Sequence, residues 1–246
     1  MRIGKLYGVG VGPGDPELMT LKAHRIVSSS PVIAYPAPDH GESFARSIAE
    51  AAISPDAHEI CMRVPMRVER YPAAEVYDDG ARQIAEKLDQ GLDVAVLCEG
   101  DPFFYGSFMY VFQRLAEDYQ CEIVPGVNSL SACSGALARP LTARNDVLTV
   151  LPGPLPDADL RRRIEEADAV AIMKVGRHLP RIRALLTEMN LLGAAGYAER
   201  ASLNAQVLAP LDKAPDVAPY FSMILIYKGA ENWLSDWPAA PGDVVI

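Results

Sequence analysis

Near its start the chain reads Gly8-Val-Gly-Val-Gly-Pro-Gly-Asp-Pro16, a glycine-rich turn at the end of the apolar, strand-like residues Ile3 to Val11. A strand that runs into a turn with so few Cβ atoms is typical of an α/β protein whose main chain closely approaches a ligand. The stretch therefore predicts an α/β fold and a binding site at the carboxyl end of the first strand.

Two familiar nucleotide fingerprints do not fit this turn. A G-x-G-x-x-G pattern that begins at Gly8 would need glycine at Pro13, and one that begins at Gly10 would need glycine at Asp15. A P-loop would end in G-K-[ST], whereas the chain reads Gly14-Asp-Pro16. Because the Asp15 carboxylate would repel a phosphate, the turn predicts a small ligand that is not strongly anionic.

The composition of the chain restricts its class. Its 246 residues, half of them apolar, are enough for one large or two modest globular domains. The net charge of −9 disfavours general binding to nucleic acid or anionic membranes. No segment approaches the ~20 apolar residues of a membrane span, so neither secretion nor membrane insertion is indicated. Four widely spaced cysteines predict reduced, mostly buried thiols and a cytoplasmic location.

Apolar runs alternate with amphipathic segments along the first half, which predicts a mostly parallel sheet. Helix start signals are expected at Thr20, Ser43 and Ser107. A break in the pattern predicts an N-terminal α/β domain over residues 1–143 and a C-terminal α/β domain over residues 144–246. Two late strands, residues 206–211 and 222–227, leave no room for a helix between them, so we expect an antiparallel pair and a mixed second sheet.

Two more loops of the same kind follow predicted strands. They read Glu99-Gly-Asp-Pro102 and Pro125-Gly-Val-Asn-Ser129. Each alone is also an ordinary turn sequence. Because ligands of open parallel sheets bind at the carboxyl ends of the strands, the three loops together predict one shared pocket.

The order and spacing of these motifs resemble the tetrapyrrole (corrin/porphyrin) methyltransferases. The matching segments are residues 10–23, 99–102, 124–129, 139–141, 172–176, 199–202 and 221–225. The resemblance extends over essentially the whole chain. The resemblance implies two α/β domains that bind S-adenosylmethionine in a cleft between them, a tetrapyrrole substrate and a homodimer.

Within the family, the long form Glu99 to Tyr110 and the stretch Tyr35-Pro-Ala-Pro38 are most similar to the enzymes that methylate C20 of precorrin-2 in cobalamin synthesis. This likeness implies precorrin-3A as the product and no metal for the transfer. Another tetrapyrrole methylase, or the enzyme for cobalt-loaded precorrin-2, stays an alternative. A non-catalytic regulator that binds S-adenosylmethionine or a nucleotide is the alternative from another class. An NAD-dependent reductase is disfavoured by the failed fingerprint, although Asp39 lies near the end of the second strand.

S-adenosylmethionine has a sulfonium, an amino-acid zwitterion and a ribose diol but no phosphate, which suits loops without a lysine. Asp101 is then a candidate partner for the ligand's hydroxyls or ammonium, and Asn128 and Ser129 for further polar contacts. An Asx turn is the alternative role of Asp101. The resemblance further implies cofactor contacts at Pro13, Gly100, Phe104, Tyr105, Met173, Ala201, Met223 and Ile224. Core packing is the alternative for Met173.

Methyl transfer depends mainly on in-line positioning, because the sulfonium is already activated. Candidates for the proton step that follows, or for the reaction centre, are Asp15, Glu99, Tyr105 and Tyr110. A substrate with eight carboxylates calls for arginines. The candidates are Arg63, Arg67, Arg70 and Arg139; a solvated charge run is the alternative for the first three.

Overall fold

In the computed structural model, residues 2–65 and 71–229 are described. Contacts between Cα atoms divide the chain into two compact units, one ending at Asn128 and the other beginning at Ser129. The boundary predicted from sequence lies later, after residue 143. The difference arises because the helix at Ser129–Ala136 contacts a strand of the second unit, Ser222–Tyr227, and so belongs with it.

The first unit alternates strands and helices along its described residues. In chain order they are β1 (Leu6–Gly10), α1 (Leu21–Ser29), β2 (Val32–Pro38), α2 (Phe44–Ala49), β3 (His58–Val64), α3 (Tyr71–Asp89), β4 (Val94–Cys98), α4 (Phe108–Leu115) and β5 (Cys121–Val124). The strands form one parallel sheet in the order β3-β2-β4-β1-β5. The expected parallel sheet is confirmed.

Apolar residues cover both faces of this sheet. Strand β4 is buried at every position, as expected for a central strand packed on both sides. One core cluster joins β4 to α3 and α4 through residues such as Ile84 and Val111. The other joins the opposite face to α1 and α2 through residues such as Ile26 and Ile48. Strands β4, β1 and β5 are neighbours, so their carboxyl ends lie side by side.

Side-chain caps fix the starts of two helices. The Thr20 hydroxyl accepts a hydrogen bond from the Ala23 N–H at 3.1 Å, and the Ser43 hydroxyl accepts one from the Arg46 N–H at 3.3 Å. Both were expected from sequence. Ser107 precedes α4, as expected, but its side chain forms no capping hydrogen bond.

The second unit is also α/β. Its described elements are α5 (Ser129–Ala136), β6 (Leu148–Pro152), α6 (Asp157–Glu166), β7 (Ala169–Met173), α7 (Leu179–Glu188), β8 (Ala195–Glu199), β9 (Val207–Pro210) and β10 (Ser222–Tyr227). The sheet order is β6-β7-β10-β8-β9. Strands β6 and β7 run parallel, and β10 is antiparallel to both β7 and β8. The expected mixed sheet is confirmed.

One predicted strand pairing is wrong. Strands β9 and β10 do not pair with each other; β9 pairs with β8 at the edge of the sheet, and β10 inserts between β7 and β8. Burial explains the difference. Strand β10 is buried from Ser222 to Ile226 and therefore occupies the centre, whereas β9 is partly exposed along its length. The sequence prediction also omits β3, whose exposed polar residues alternate with the buried Ile60 and Met62.

Candidate functional site

The loops that follow β1, β4 and β5 meet at three glycines. A Cβ atom added to Gly126 would lie 2.0 Å from the carbonyl oxygen of Gly100, and one added to Gly10 would lie 2.7 Å from the Gly126 nitrogen. These neighbours are backbone atoms and cannot turn aside. We call this arrangement of Gly10, Gly100 and Gly126 the three-glycine contact. It shows that the three loops predicted from sequence lie together; that they share a ligand stays a prediction.

Hydrogen bonds connect the first two loops directly. The Gly100 N–H donates to the Gly12 carbonyl at 2.7 Å, and the Val11 N–H donates to the Cys98 carbonyl at 2.9 Å. Gly12 and Gly100 have φ values of 91° and 66°, in the left-handed region that favours glycine. The glycines of the opening turn therefore serve contacts between loops as well as any approach of a ligand.

Asp101 forms an Asx turn. One carboxylate oxygen, Oδ1, accepts hydrogen bonds from the Phe103 N–H at 2.9 Å and the Phe104 N–H at 3.1 Å. The other, Oδ2, accepts one from the Gly126 N–H at 3.1 Å. The Asx turn, which was the alternative role of Asp101, is thus present. The carboxylate also accepts a hydrogen bond from the neighbouring loop.

The loop after β4 presents aromatic side chains. Gly106 packs so tightly that an added Cβ would lie 2.4 Å from the Pro102 carbonyl oxygen. Tyr105 precedes it with a φ of 57°, is 47% exposed and lies edge-on to Phe104, with ring centroids 5.2 Å apart. Tyr110 is equally exposed, and its ring centroid is 4.9 Å from that of Tyr77. Two of the residues predicted for the proton step are therefore accessible.

Two of the three loops carry carboxylates, and none carries a cationic side chain. Asp15 lies within residues 8–16, and Glu99 and Asp101 lie within residues 99–110. These stretches and residues 124–129 contain no Lys, Arg or His. Asp15 Oδ1 accepts a hydrogen bond from the Glu17 N–H at 2.8 Å and so begins a single 3-10 turn. Such a set of groups suits a cationic or zwitterionic ligand and disfavours a phosphate.

Glu99 combines an accessible surface with an unfavourable environment for charge. The surrounding protein desolvates its carboxyl group and raises its pKa above the usual value, yet the residue stays exposed to solvent. Accessible carboxyl groups with a perturbed pKa are candidates for proton transfer.

Besides Ser129, four residues of the second unit were predicted to contact the cofactor. Met173 ends β7, is half-buried and pairs across the strands with Met223, which is buried. Ala201, 8% exposed, follows the end of β8. Ile224 belongs to the hydrophobic core of this unit. Because successive residues of a strand point to opposite faces, Ile224 can offer a ligand only its backbone.

A buried polar network lies at the same end of β8, and sequence reasoning missed it. Glu199 is 6% exposed and accepts hydrogen bonds from the Tyr197 hydroxyl at 2.8 Å and the Arg200 guanidinium at 2.5 Å. Arg200 and Ser202 have φ values of 49° and 70°, which are strained for residues other than glycine. The available signal was a glutamate that directly ends an apolar run.

The two predicted arginines that the structure describes both donate to backbone carbonyls. Arg63 donates to the Pro38 and Gly41 carbonyls and lines a cavity of about 350 Å³ together with Glu75 and Asp79. That acidic lining does not favour a carboxylate substrate. Arg139 lies in the second unit and donates to the Ala194 carbonyl at 3.2 Å. Arg67 and Arg70 lie outside the described residues.

The described part of the chain has free cysteines but neither a metal-binding group nor a membrane-spanning helix. No group of three or more His, Cys, Asp or Glu side chains there could hold a metal ion. The four cysteines are free thiols; Cys98 and Cys133 are buried, and burial raises the pKa of each to about 12, whereas Cys61 is exposed. Within residues 2–65 and 71–229, the helices are too short or too polar to cross a membrane.

Comparison with known proteins identifies the family. A sequence model of the tetrapyrrole (corrin/porphyrin) methylases matches residues 5–214. The chain belongs to this family. Cobalamin biosynthesis protein CobIJ of Mycobacterium tuberculosis H37Rv is 43% identical over 98% of this chain, but the chain covers only half of that protein's length.

Relatives of similar length are also found. A precorrin-2 C(20)-methyltransferase of Sinorhizobium sp is 40% identical over 91% of this chain and 95% of its own. A cobalt-precorrin-2 C(20)-methyltransferase of Salmonella typhimurium is 31% identical over 92% and 97%. Among solved structures, uroporphyrin-III C-methyl transferase of Thermus thermophilus in complex with S-adenosyl homocysteine has a TM-score of 0.65 and 26% identity, covering 90% of this chain and 97% of its own.

The three-glycine contact predicts a large difference between two glycine-to-alanine variants. Gly126→Ala places a methyl group against backbone atoms and should lower the free energy of unfolding by about 1–3 kcal/mol or more. Gly193→Ala is the matched control, because no atom lies within 4 Å of its added Cβ. It should stay within about 1 kcal/mol of wild type. Thermal denaturation measures both; equal stability of the two variants would contradict the contact.

The environment of Glu99 predicts that stability depends on pH. A raised pKa in the folded protein means that the ionised carboxylate destabilises the fold. This effect grows as the pH rises from the pKa of the unfolded glutamate and is complete above the raised pKa. Glu99→Gln should therefore raise the melting temperature at pH 8. It should change little at pH 4, near the pKa of about 4.3 for an unfolded glutamate. The exposed Glu117→Gln serves as the control; the same pH profile in both variants would refute the desolvation of Glu99.

Proposed function

We propose that this chain is an S-adenosylmethionine-dependent C-methyltransferase that converts precorrin-2 into precorrin-3A by methylating C20 in cobalamin biosynthesis. One observation carries the proposal: three strand-end loops meet at glycines, two of them carry Asp15, Glu99 and Asp101, and none of the three contains a cationic side chain. Of the common nucleoside ligands, a sulfonium with an ammonium group suits such loops, and a phosphate does not. The 40% identity to a precorrin-2 C(20)-methyltransferase supports the choice of substrate.

The chemistry of the described residues fits S-adenosylmethionine. In the first unit, Pro13, Gly100, Phe104, Tyr105 and Asn128 would offer it backbone groups, an aromatic surface and a polar side chain, and Ser129 begins α5 just after them. In the second unit, Met173, Ala201, Met223 and the backbone of Ile224 would contribute small or apolar surface. The neutral backbone donors and acceptors of these loops match a ligand without phosphate.

The residues of this chain have three tasks in the reaction. When bound, S-adenosylmethionine supplies a methyl group that its sulfonium already activates. The loops hold the donor and the accepting carbon in line, which is the main source of rate in such a transfer. Glu99, ionised above its raised pKa, accepts the proton that leaves the carbon after methylation. Asp15, Tyr105 and Tyr110 are the further candidates for this step.

We also propose a cytoplasmic homodimer with no nucleic-acid or membrane partner. The net charge of −9 supports the absence of a polyanionic partner. Cobalt-loaded precorrin-2 is the second candidate substrate, because a relative of nearly equal coverage is named for it. An anionic substrate needs basic groups away from Asp15, Glu99 and Asp101.

Transfer of label decides the activity. The purified chain is incubated with methyl-labelled S-adenosylmethionine and, separately, precorrin-2, cobalt-precorrin-2 or uroporphyrinogen III. We expect one label per molecule on C20 of precorrin-2, located by NMR. Faster labelling of cobalt-precorrin-2 would favour the second candidate. Retention of S-adenosylmethionine without transfer to any tetrapyrrole would favour a binding regulator.

The arginine-rich segment predicts a selective loss of substrate affinity. Removing one guanidinium–carboxylate pair in Arg67→Ala should weaken tetrapyrrole binding about tenfold or more. It should leave the affinity for S-adenosylhomocysteine unchanged. Arg161→Ala is the control, because Arg161 pairs with Glu188 on the second unit's surface. Titration of both ligands measures the effect; equal weakening of both would indicate a folding defect instead.

A further inference from the structure

The carboxylate of Asp101 connects two loops of the candidate site. It accepts hydrogen bonds from the Phe103 and Phe104 N–H groups of its own loop and from the Gly126 N–H of the next loop. We propose that Asp101 is a positioning residue: it holds the loop after β5 against the loop after β4 and acts on S-adenosylmethionine through that loop rather than by direct contact. The part that concerns the ligand rests on the proposed function.

Three backbone donors engage this carboxylate from two directions. Oδ1 closes the turn that leads to the exposed aromatic side chains, and Oδ2 faces the loop after β5. Hydrogen bonds to an ionised acceptor are about twice as strong as neutral ones. The three N–H groups use most of the roughly four acceptor sites of the carboxylate, so little capacity is left for a ligand hydroxyl or ammonium.

The hydrogen bond from the Gly126 N–H joins the loop after β5 to the loop after β4 at the residue where the two backbones come closest. The three-glycine contact limits how closely these loops approach, and this hydrogen bond is a directed attraction between them. Asn128 lies two residues farther along the chain, and its Cα is 3.7 Å from a Cβ built on Gly100. The Asp101 bond therefore acts next to a residue predicted to contact the cofactor.

Asparagine at this position separates the two connections. An amide has one acceptor oxygen, so in Asp101→Asn it can serve either Phe103 and Phe104 or Gly126, but not both. With the oxygen on the turn, the amide NH2 would face the Gly126 N–H, donor against donor. The substitution keeps the size of the side chain and removes the connection between the loops. The exposed Asp56→Asn is the matched control.

Amide hydrogen exchange on the ligand-free protein tests the connection itself. In Asp101→Asn we expect the Gly126 amide to exchange at least about tenfold faster than in wild type, since it loses its acceptor. The amide of Val96, in the buried centre of β4, should exchange as in wild type, which separates a local effect from general destabilisation. Asp56→Asn should change neither. An unchanged Gly126 amide would overturn the proposal.

Calorimetric titration with S-adenosylhomocysteine and its 2′-deoxy, 3′-deoxy and deaminated analogues tests the indirect action. A positioning residue predicts that Asp101→Asn weakens all four ligands by the same factor, about tenfold. A direct contact predicts a smaller loss for the analogue that lacks the contacted group, as in a double-mutant cycle. Unequal losses of affinity among the four ligands would overturn the positioning role of Asp101. Faster exchange at Gly126 with unchanged affinities would overturn it as well. Failure of wild type to bind any of the four would refute the proposed cofactor, while the exchange measurement would still decide whether the connection exists.

Discussion

The candidate site depends on the close approach of three backbones at the carboxyl edge of the first sheet. A Cβ atom on Gly10 or Gly126 would clash with the backbone of a neighbouring loop, and Gly12 and Gly100 add hydrogen bonds between the first two loops. Parallel pairing of β4, β1 and β5 aligns the strand ends, but glycine lets the loops beyond them touch. The Asp101 carboxylate bonds to the Gly126 N–H at this contact.

Electrostatics selects the kind of ligand that such loops can hold. Backbone N–H groups at strand ends attract anions in many α/β proteins. Here the loops oppose that tendency with carboxylates, and Asp101 occupies three of the N–H groups itself. Such a set of groups suits a positively charged or zwitterionic molecule better than a phosphate. A substrate rich in carboxylates must then be bound by other parts of the protein, and neither Arg63 nor Arg139 is free of backbone partners.

Local patterns made much of this structure predictable. Apolar runs between glycine turns identified β1, β4 and β10, and Thr20 and Ser43 marked helix starts because a cap is a contact over three residues. Long-range choices were not predictable. The position of β10 between β7 and β8 depends on burial relative to β9, which periodicity does not reveal. Likewise, the letters Gly-Asp-Pro allow an Asx turn or a ligand contact, and only the position of Gly126 shows that the carboxylate bridges two loops.

The central position of β10 also has a consequence for synthesis on the ribosome. Strands β6 and β7 can pair as soon as they emerge, and so can β8 and β9, but each pair keeps an open edge until the chain has been extended past Tyr227. Until then, the second unit has two strand pairs whose unpaired edges can bind other strands. The second sheet is completed only when β10 inserts between these pairs. A chain that ends before Tyr227 would therefore keep unpaired edges, which favour aggregation.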